Sequence, residues 1–253
     1  MRVMATEEAG YWVPDWPVPY GVRSAITVRS GGVSQGAYAS LNLGDHVGDA
    51  PEAVARNRER LRTMLELPGE PRWLRQVHGT GVAALTAAPA RALEADGAVT
   101  TIPGVVLAVL TADCLPVLAC GGDGRHIGVF HVGWRGLLAG ILERGVAAMP
   151  VAPEDILIYL GPAIGPEHFE VGPEVRAAFL AEDAGVAVAF RPGHGDRWLA
   201  NIYALARRRL QRAGVQTIFG GNLCTVADPA RYFSYRRDGA TGRMASLIWK
   251  EDV

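Results

Sequence analysis

The sequence predicts an α/β protein of the α+β type, with one domain extending over residues 1–253. Short apolar runs, such as those at 105–110, 127–130 and 156–160, are typical of strands buried on both faces. Amphipathic helical patterns, as at 199–213, separate several of these runs. The two patterns alternate irregularly, without a linker or an internal repeat. This organisation indicates mixed β-sheets within a single domain.

The chain is expected to begin with an N-terminal loop segment over residues 1–20. Three prolines fall within residues 11–20, and proline disfavours regular structure. We expect this segment to place Trp12 and Trp16 against the surface of the core. A strand is predicted over the next stretch, 21–29, where apolar and polar residues partly alternate.

A glycine-rich loop is predicted at residues 30–36, after this strand. No Gly-Lys-Ser/Thr follows it, so the loop does not match the phosphate-binding loop of nucleotide-binding proteins. A helix is expected to begin at Pro51, because proline suits the first helical turn. Asp49 is the predicted N-cap of this helix.

Three predicted strands end at residues with reactive side chains. The strand over 71–80 ends at His78, the run at 105–110 leads to Asp113 and Cys114, and the run at 127–130 leads to His131. A glycine turn and a helix from Trp134 to Met149 are predicted after His131. Further helices are predicted at 173–181 and 199–213, and further strands at 81–85, 156–160, 215–219 and 245–249.

Composition and charge exclude several classes of protein. Hydrophobic residues make up 49% of the chain and charged residues 20%, and the formal net charge is -1. A near-neutral chain gives no electrostatic reason to expect nucleic acid or an anionic membrane as partner. No apolar run approaches the length of about 20 residues that spans a bilayer, and no secretory signal is visible. With only three cysteines, we expect a cytoplasmic protein without a disulfide framework, as a monomer or small homo-oligomer.

His78, Cys114 and His131 share the same position, at the end of a predicted strand. Two imidazoles and one thiolate are donors that zinc favours, and three protein ligands leave a fourth position open, as in catalytic zinc sites. Copper fits the same donors. A metal-free alternative uses Cys114 as nucleophile, one histidine as base and Asp113 as the group that orients it. The residues alone leave both chemistries open.

The motifs around these residues resemble those of the YfiH-like laccase-domain family, whose members are also labelled purine nucleoside phosphorylase, polyphenol oxidase or peptidoglycan editing factor. The matching blocks extend from about residue 20 to the C-terminal end. They include residues 29–34, 40–44, 47–49, 57–58, 76–79, 111–116, 131–136, 161–165, 224–225, 233–238 and 241–243. Val28 and Val132 depart from the pattern, since the family usually has threonine and alanine there.

The resemblance implies an α/β/β/α layered sandwich with mixed β-sheets. It implies that His78, Cys114 and His131 are metal ligands, with zinc as the expected ion and copper as the alternative. The implied activity is phosphorolysis of purine nucleosides (adenosine, inosine, guanosine and methylthioadenosine) by inorganic phosphate. Hydrolytic deamination of adenosine is the second implied activity.

Residues around these motifs are the candidates for the remaining roles. A phosphate needs cationic donors, for which arginine is well suited. The candidate catalytic residues are Asp113, Arg29 and Asn42, and the candidate substrate-binding residues are Ser40, Gln76, Arg135 and His46. Arg236, Arg237 and Arg243 are candidates for closing the site from the C-terminal end, with structural ion pairs as the alternative.

Three other functions are compatible with the residues. A Cys–His amidase that edits peptidoglycan precursors would use Cys114 covalently and ignore chelators. A copper-dependent polyphenol oxidase is the weakest of the three, because a multicopper oxidase needs many more histidines than the four that remain, His46, His126, His168 and His194. A non-enzymatic binding module or partner protein is disfavoured, because three potential metal ligands converge at strand ends; an occluded pocket would favour it again.

Overall fold

A computed structural model describes residues 5–6, 10–85 and 93–252. The expected N-terminal loop segment over 1–20 lies partly outside the described residues. Within them, Ala5–Thr6 (β1) and Tyr11–Trp12 (β2) pair as antiparallel strands, so the expectation of a loop is wrong there. Trp12 and Trp16 pack into the core.

The first large sheet has five strands and is antiparallel throughout, in the order β1-β2-β3-β14-β6. Its other members are β3 (Val22–Thr27), β6 (Leu107–Thr111) and β14 (Met244–Lys250). Met244, at the start of β14, pairs with Thr111, at the end of β6. The segment before β14 therefore lies beside the turn that follows β6.

The second large sheet has six strands in the order β13-β9-β7-β8-β5-β4. Its members are β4 (Val82–Leu85), β5 (Gly97–Thr100), β7 (Leu115–Gly121), β8 (Ile127–Val132), β9 (Ile156–Leu160) and β13 (Thr217–Gly220). The pairs at its two edges, β13–β9 and β4–β5, are parallel and the inner pairs are antiparallel, so this sheet is mixed. A small antiparallel sheet contains β10 (Glu170–Val171), β11 (Phe190–Pro192) and β12 (Trp198–Ala200).

The α-helices are short. They are α1 (Pro51–Met64), α2 (Trp134–Ala139), α3 (Ile141–Ala147), α4 (Pro173–Glu182), α5 (Ile202–Arg212) and α6 (Tyr235–Asp238). Within the described part of the chain, none of the helices combines the length and the apolar character needed to cross a membrane.

The fold has four layers: α1, the five-stranded sheet, the six-stranded sheet, and helices α2 to α5. A hydrophobic cluster lies between each layer and the next, as the alternation of side chains along the strands shows. On β14, Ala245 and Leu247 face α1, whereas Ile248 packs between the two large sheets. On β7, Leu118 packs between the sheets, whereas Val117 faces the cluster formed with α2 to α5. The predicted α/β/β/α sandwich is therefore confirmed, with the mixed pairing confined to the six-stranded sheet.

Several predicted element boundaries are wrong. The helix expected over 134–149 is two helices, because Gly140 adopts the left-handed conformation with φ 96° and ends α2. The strand expected over 71–80 is reduced to isolated bridges at Arg72 and Arg75. His131 does not follow its strand but lies within β8.

Two further predictions fail because the side chain or segment has another partner. Asp49 does not cap α1, whose N-cap is Ala50. The Asp49 carboxylate instead accepts hydrogen bonds from Ser34 and Asn42, in the glycine-rich loop and beyond it. The helix expected from Leu199 begins at Ile202, because Leu199 pairs within the small sheet as part of β12.

Candidate metal centre

The structure brings His78, Cys114 and His131 together, as expected from their positions in the sequence. The Nε2 atom of His78 lies 3.7 Å from the Sγ atom of Cys114. One ligand atom from each of the three residues lies within 4.8 Å of the other two. Tetrahedral zinc with bonds of about 2.0 to 2.3 Å requires ligand atoms separated by roughly 3.3 to 3.6 Å, so side-chain adjustments of about 1 Å bring the three onto one ion. Among the described residues, this is the one such group of three.

Cys114 lies where the chain crosses from one large sheet to the other. The crossing is tight, since β6 ends at Thr111 and β7 begins at Leu115. Asp113 has φ 92°, an uncommon conformation for a residue with a side chain. Its carboxylate accepts one hydrogen bond from Thr225 Oγ1 (2.5 Å) and one from the backbone N–H of Arg236 (2.7 Å). These two bonds hold the turn that presents the Cys114 thiol.

The buried His131 is oriented by Asp96. The Nδ1 atom of His131 lies 2.8 Å from Asp96 Oδ1, and the backbone N–H of His131 donates to the carbonyl of Asp96 at 2.7 Å. An ionised carboxylate only accepts hydrogen bonds, so Nδ1 carries the proton and Nε2 is left as the ligand atom. A metal that displaces the proton from Nε2 of His131 can therefore bind this atom together with Cys114.

The same carboxylate holds the loop of the exposed His78. The backbone N–H groups of His78 (2.9 Å) and Gly79 (2.7 Å) donate to Asp96, and that of Val77 does so at 3.3 Å. His78 has φ 60°, in the left-handed region of backbone conformation that residues other than glycine rarely adopt. Asp96 was not among the residues predicted from the sequence. An Asp-Gly pair before a strand is typical of a turn, and no local pattern announces a contact with His131.

The charges of the centre favour a thiolate beside an imidazolium when no metal is bound. Burial alone would raise the pKa of the Cys114 thiol, but the charge of His131 and hydrogen bonds from both histidines lower the pKa to about 6. Burial also opposes the charge on His131, but Cys114 and Asp96 raise the pKa of this histidine above its usual value. Hydrogen bonds from His131 and from the backbone of Gly79 and Val77 outweigh burial at Asp96 and lower its pKa.

The glycine after β8 packs against the ligands themselves. A Cβ atom at Gly133 would lie 2.9 Å from Cδ2 of His78 and 3.3 Å from Sγ of Cys114. A Cβ atom at Gly136 would lie 2.7 Å from the carbonyl oxygen of Gly79. Both glycines therefore let the turn after β8 approach the loop of His78 closely.

A cavity of about 610 Å³ opens over the three candidate ligands. Its apolar wall includes Trp134, Phe169 and Tyr235. Other residues predicted from the sequence also line it, namely His46, Gln76, Asp113, Arg135, Arg236 and Arg243. Among these lining residues the sole carboxylate is that of Asp113, which already accepts two hydrogen bonds, so the cavity is predominantly cationic.

The three arginines reach the cavity from different parts of the chain. Arg135, on α2, is exposed and lies over the Trp134 ring, 4.4 Å from its centroid. Arg236, on α6, donates to the carbonyls of His168 and Glu170. Arg243 immediately precedes β14, and the pairing of that strand with β6 places it in the lining of the same cavity as the candidate ligands. Burial lowers the pKa of Arg243, although an arginine remains charged at neutral pH.

Gln76 lines the cavity with its amide already engaged. Its Nε2 donates to the carbonyl of Leu110 at 2.8 Å, and its Oε1 accepts from the backbone N–H of Leu110 at 2.7 Å. The Gln76 amide thus pairs with the backbone of β6 as a neighbouring strand would, next to the Cys114 turn. This arrangement favours support of the site over direct contact with a substrate.

Four other candidates lie outside the cavity lining. Arg29 donates to the carbonyls of Ala39 and Pro229, and Arg237 donates to those of Thr225, Val226 and Tyr232. Ser40 bonds to the backbone of Gly32 and Arg29. Asn42 is fully buried and accepts from the backbone N–H of Arg243 at 2.9 Å. These contacts favour structural roles, and for Asn42 a link to an arginine of the cavity.

Comparisons with known proteins identify the family and the fold. Residues 23–251 match the family described as multi-copper polyphenol oxidoreductase laccase. "Purine nucleoside phosphorylase YfiH" of Escherichia coli (strain K12) is 54% identical over 237 residues, which cover 94% of this chain and 97% of that protein. "Purine nucleoside phosphorylase PA4543" of Pseudomonas aeruginosa is 51% identical over 240 residues, covering 94% and 98%. The crystal structure of Neisseria meningitidis protein NMB0706 superposes with a TM-score of 0.92 at 49% identity, covering 96% of this chain and 99% of that one.

Proposed function

The chain belongs to the multi-copper polyphenol oxidoreductase laccase family, and from this premise we propose that it is a zinc-dependent enzyme that cleaves purine nucleosides by phosphorolysis. The observation that carries the proposal is the cavity whose lining contains three arginines together with the His78–Cys114–His131 group. An anionic co-substrate and a metal-dependent reaction at a purine nucleoside need these two features together. The names of the relatives support the same substrate class.

In phosphorolysis, the bond from ribose C1′ to the purine nitrogen breaks and a bond from C1′ to a phosphate oxygen forms. The products are the free base, which takes up a proton, and ribose 1-phosphate. Arg135, Arg236 and Arg243 bind the phosphate and hold it against C1′, which lowers the entropic cost of reaction. Trp134 and Phe169 offer aromatic faces on which the purine stacks. His78, Cys114 and His131 would hold a zinc ion, which would supply a Lewis acid when bound.

Deamination of adenosine, in which water replaces the amino group and the products are inosine and ammonia, is the second activity that we propose for the same cavity. The specific support is the donor set, because zinc deaminases of nucleobases combine histidine and cysteine ligands with one open position. Substrates of the enzyme are expected to include adenosine, inosine, guanosine and methylthioadenosine.

Asp113, whose two carboxylate oxygens hold the Cys114 turn, acts mainly by positioning that ligand. His46, exposed on the cavity wall, is available to contact the substrate.

Zinc fits the charges of the site better than singly charged copper. The Cys114 thiolate and the buried Asp96 carboxylate carry two negative charges, which a divalent cation balances. A polyphenol oxidase with several copper ions would need additional ligand clusters. Across the described residues, His126, His168 and His194 join no cluster of potential metal ligands.

The decisive experiment measures turnover of adenosine and inosine with and without phosphate, on protein of known metal content. We expect phosphate-dependent release of free base and ribose 1-phosphate, and phosphate-independent conversion of adenosine to inosine. Removing the metal, or replacing His78, Cys114 or His131 by alanine, should lower both rates by at least about 100-fold. His126→Ala, outside the cavity, is the matched control and should retain activity.

Full turnover by metal-free protein would contradict the proposal. A covalent adduct on Cys114 with a cell-wall precursor, insensitive to chelators, would instead indicate the amidase. Phenol oxidation that depends on bound copper, without nucleoside turnover, would indicate the oxidase.

A further inference from the structure

We propose that Asp96 is the positioning residue of the metal centre, the single group that sets the geometry of both histidine ligands. The proposal rests on the proposed metal dependence of the enzyme. It concerns a residue that lies outside the cavity lining.

The Asp96 carboxylate accepts hydrogen bonds from an unusually large number of donors. Asp96 receives the backbone N–H groups of Val77, His78 and Gly79, and the ring Nδ1–H of His131. The side chain is fully buried, with 0% of its surface exposed. A buried carboxylate requires such compensation, because an unpaired charge in the interior is costly. The two histidines of the centre supply part of it, and both are thereby fixed.

An aspartate that only stabilised the 77–79 loop would not need the hydrogen bond from the His131 ring. Three backbone N–H groups already stabilise the 77–79 loop, and they would do so wherever the His131 ring pointed. The fourth bond is separate, since it fixes the tautomer of His131 and points Nε2 towards Cys114. Within the described ranges, the ion-pair partner of Asp96 is His131 and no lysine or arginine. The negative charge of Asp96 therefore interacts with a candidate metal ligand and not with a separate cation.

His78 has a left-handed backbone conformation, with φ 60°, which is unfavourable for a residue with a side chain, and the surrounding structure must compensate for it. The bonds from His78 N–H (2.9 Å) and Gly79 N–H (2.7 Å) to Asp96 provide that compensation. Loss of the carboxylate would therefore release the His78 imidazole as well as the His131 imidazole.

The test replaces Asp96 by asparagine and measures metal binding. Asparagine has the shape of aspartate but is neutral, and its NH₂ group would face groups that are themselves donors. We expect Asp96→Asn to bind zinc about 10- to 100-fold more weakly, in competition with a chromophoric chelator. The absorption spectrum of the cobalt-substituted protein, including its thiolate-to-cobalt band, should shift as well. Circular dichroism checks that the variant is folded.

Asp123→Asn is the matched control, because Asp123 also pairs with a histidine. Its Oδ2 lies 3.1 Å from Nδ1 of His126, outside the cavity lining. This variant should bind zinc with the affinity of the parent protein. Equal zinc affinities of the parent and Asp96→Asn proteins, within about twofold, would overturn the proposal.

A second measurement needs no variant and decides the question if Asp96→Asn does not fold. Nitrogen-15 NMR of the imidazoles in the zinc-loaded parent protein should show His131 protonated at Nδ1 and bound to zinc through Nε2. Zinc bound through Nδ1 of His131 would overturn the proposal. If the parent protein binds no zinc at all, the proposed function fails, which is distinguishable from a parent that binds zinc without any contribution from Asp96.

Discussion

At the scale of single residues, the reactivity of Cys114 follows from its neighbours. Without metal, the thiol is flanked by two imidazoles, and its pKa is lowered to about 6 although burial opposes ionisation. Cys120, buried between the sheets, has a pKa raised to about 12 by burial. The two cysteines, one near each end of the same short segment, therefore differ sharply in nucleophilicity.

We predict that Cys114 in the metal-free protein reacts with iodoacetamide at a rate that rises with a midpoint near pH 6. The sign follows from the lowered pKa, since the reactive thiolate is present above the midpoint and is lost as pH falls through it. Mass spectrometry of the labelled peptides measures the rate. His131→Ala should move the midpoint upward, and Cys120 should remain unlabelled. A parent midpoint at about 8.5, the value of a free cysteine, would contradict the prediction.

Gly133 is the second residue whose environment makes a direct prediction. Gly133→Ala places a methyl group 2.9 Å from the His78 ring, which must then move away from Cys114. We expect zinc affinity to fall by about 10-fold or more, with the fold retained. Gly69→Ala is the matched control, because the nearest atom to its added Cβ is 3.5 Å away. Zinc titration of both variants tests this, and equal affinities would show that the ring tolerates the methyl group.

At the scale of elements, the sequence indicated the three candidate ligands but not the residue that supports two of them. Each of His78, Cys114 and His131 follows or ends an apolar stretch, a local pattern that the sequence displays. Asp96 contributes through partners from other parts of the chain, and such contacts leave no periodic signal. The break at Gly140 was missed for a related reason. An isolated glycine is tolerated within a helix, and only its left-handed φ ends α2 there.

The short segment before β14 makes the prediction that belongs to this scale. Arg243 reaches the cavity because β14 pairs with β6, and Asn42 fixes its backbone N–H. We expect Arg243→Gln to raise the KM for phosphate by about 10-fold or more, with a smaller change in the KM for the nucleoside. Steady-state kinetics with each substrate varied in turn provides the measurement. Arg144→Gln, on an exposed face of α3, should change neither constant.

At the scale of the whole molecule, local patterns identified most strands but not their partners. The four-layer arrangement followed from the resemblance to a family, because the pairing of β14 with β3 and β6 joins residues more than a hundred positions apart. Alternation along β6, β7 and β14 then accounts for the three separate hydrophobic clusters. That residues 1–253 form one domain, as a monomer or small homo-oligomer, stays a prediction.

A metal at the centre would link the crossing between the two large sheets to β8, and we therefore expect metal binding to stabilise the folded protein. Cys114 lies in the crossing between the sheets and His131 lies on β8. Zinc that binds only the folded protein should stabilise it by about 2.7 kcal/mol at a free concentration of 100 times Kd. Thermal unfolding of metal-free and zinc-loaded protein tests this. His131→Ala should lose most of the zinc-dependent increase in Tm, and an unchanged Tm in the parent protein would contradict the prediction.

The crossing between the sheets also bears on how this enzyme can change through evolution. The three candidate ligands are anchored in the loop of His78, the crossing and β8, whose contacts reach deep into the core. The cationic wall comes from other elements, namely α2 with the exposed Arg135, α6 with the exposed Arg236, and the segment before β14 with Arg243. Substitutions in that wall can alter which substrates are accepted while leaving the ligands in place. Selection, in nature or in the laboratory, can therefore act on substrate preference and on reactivity as separate traits.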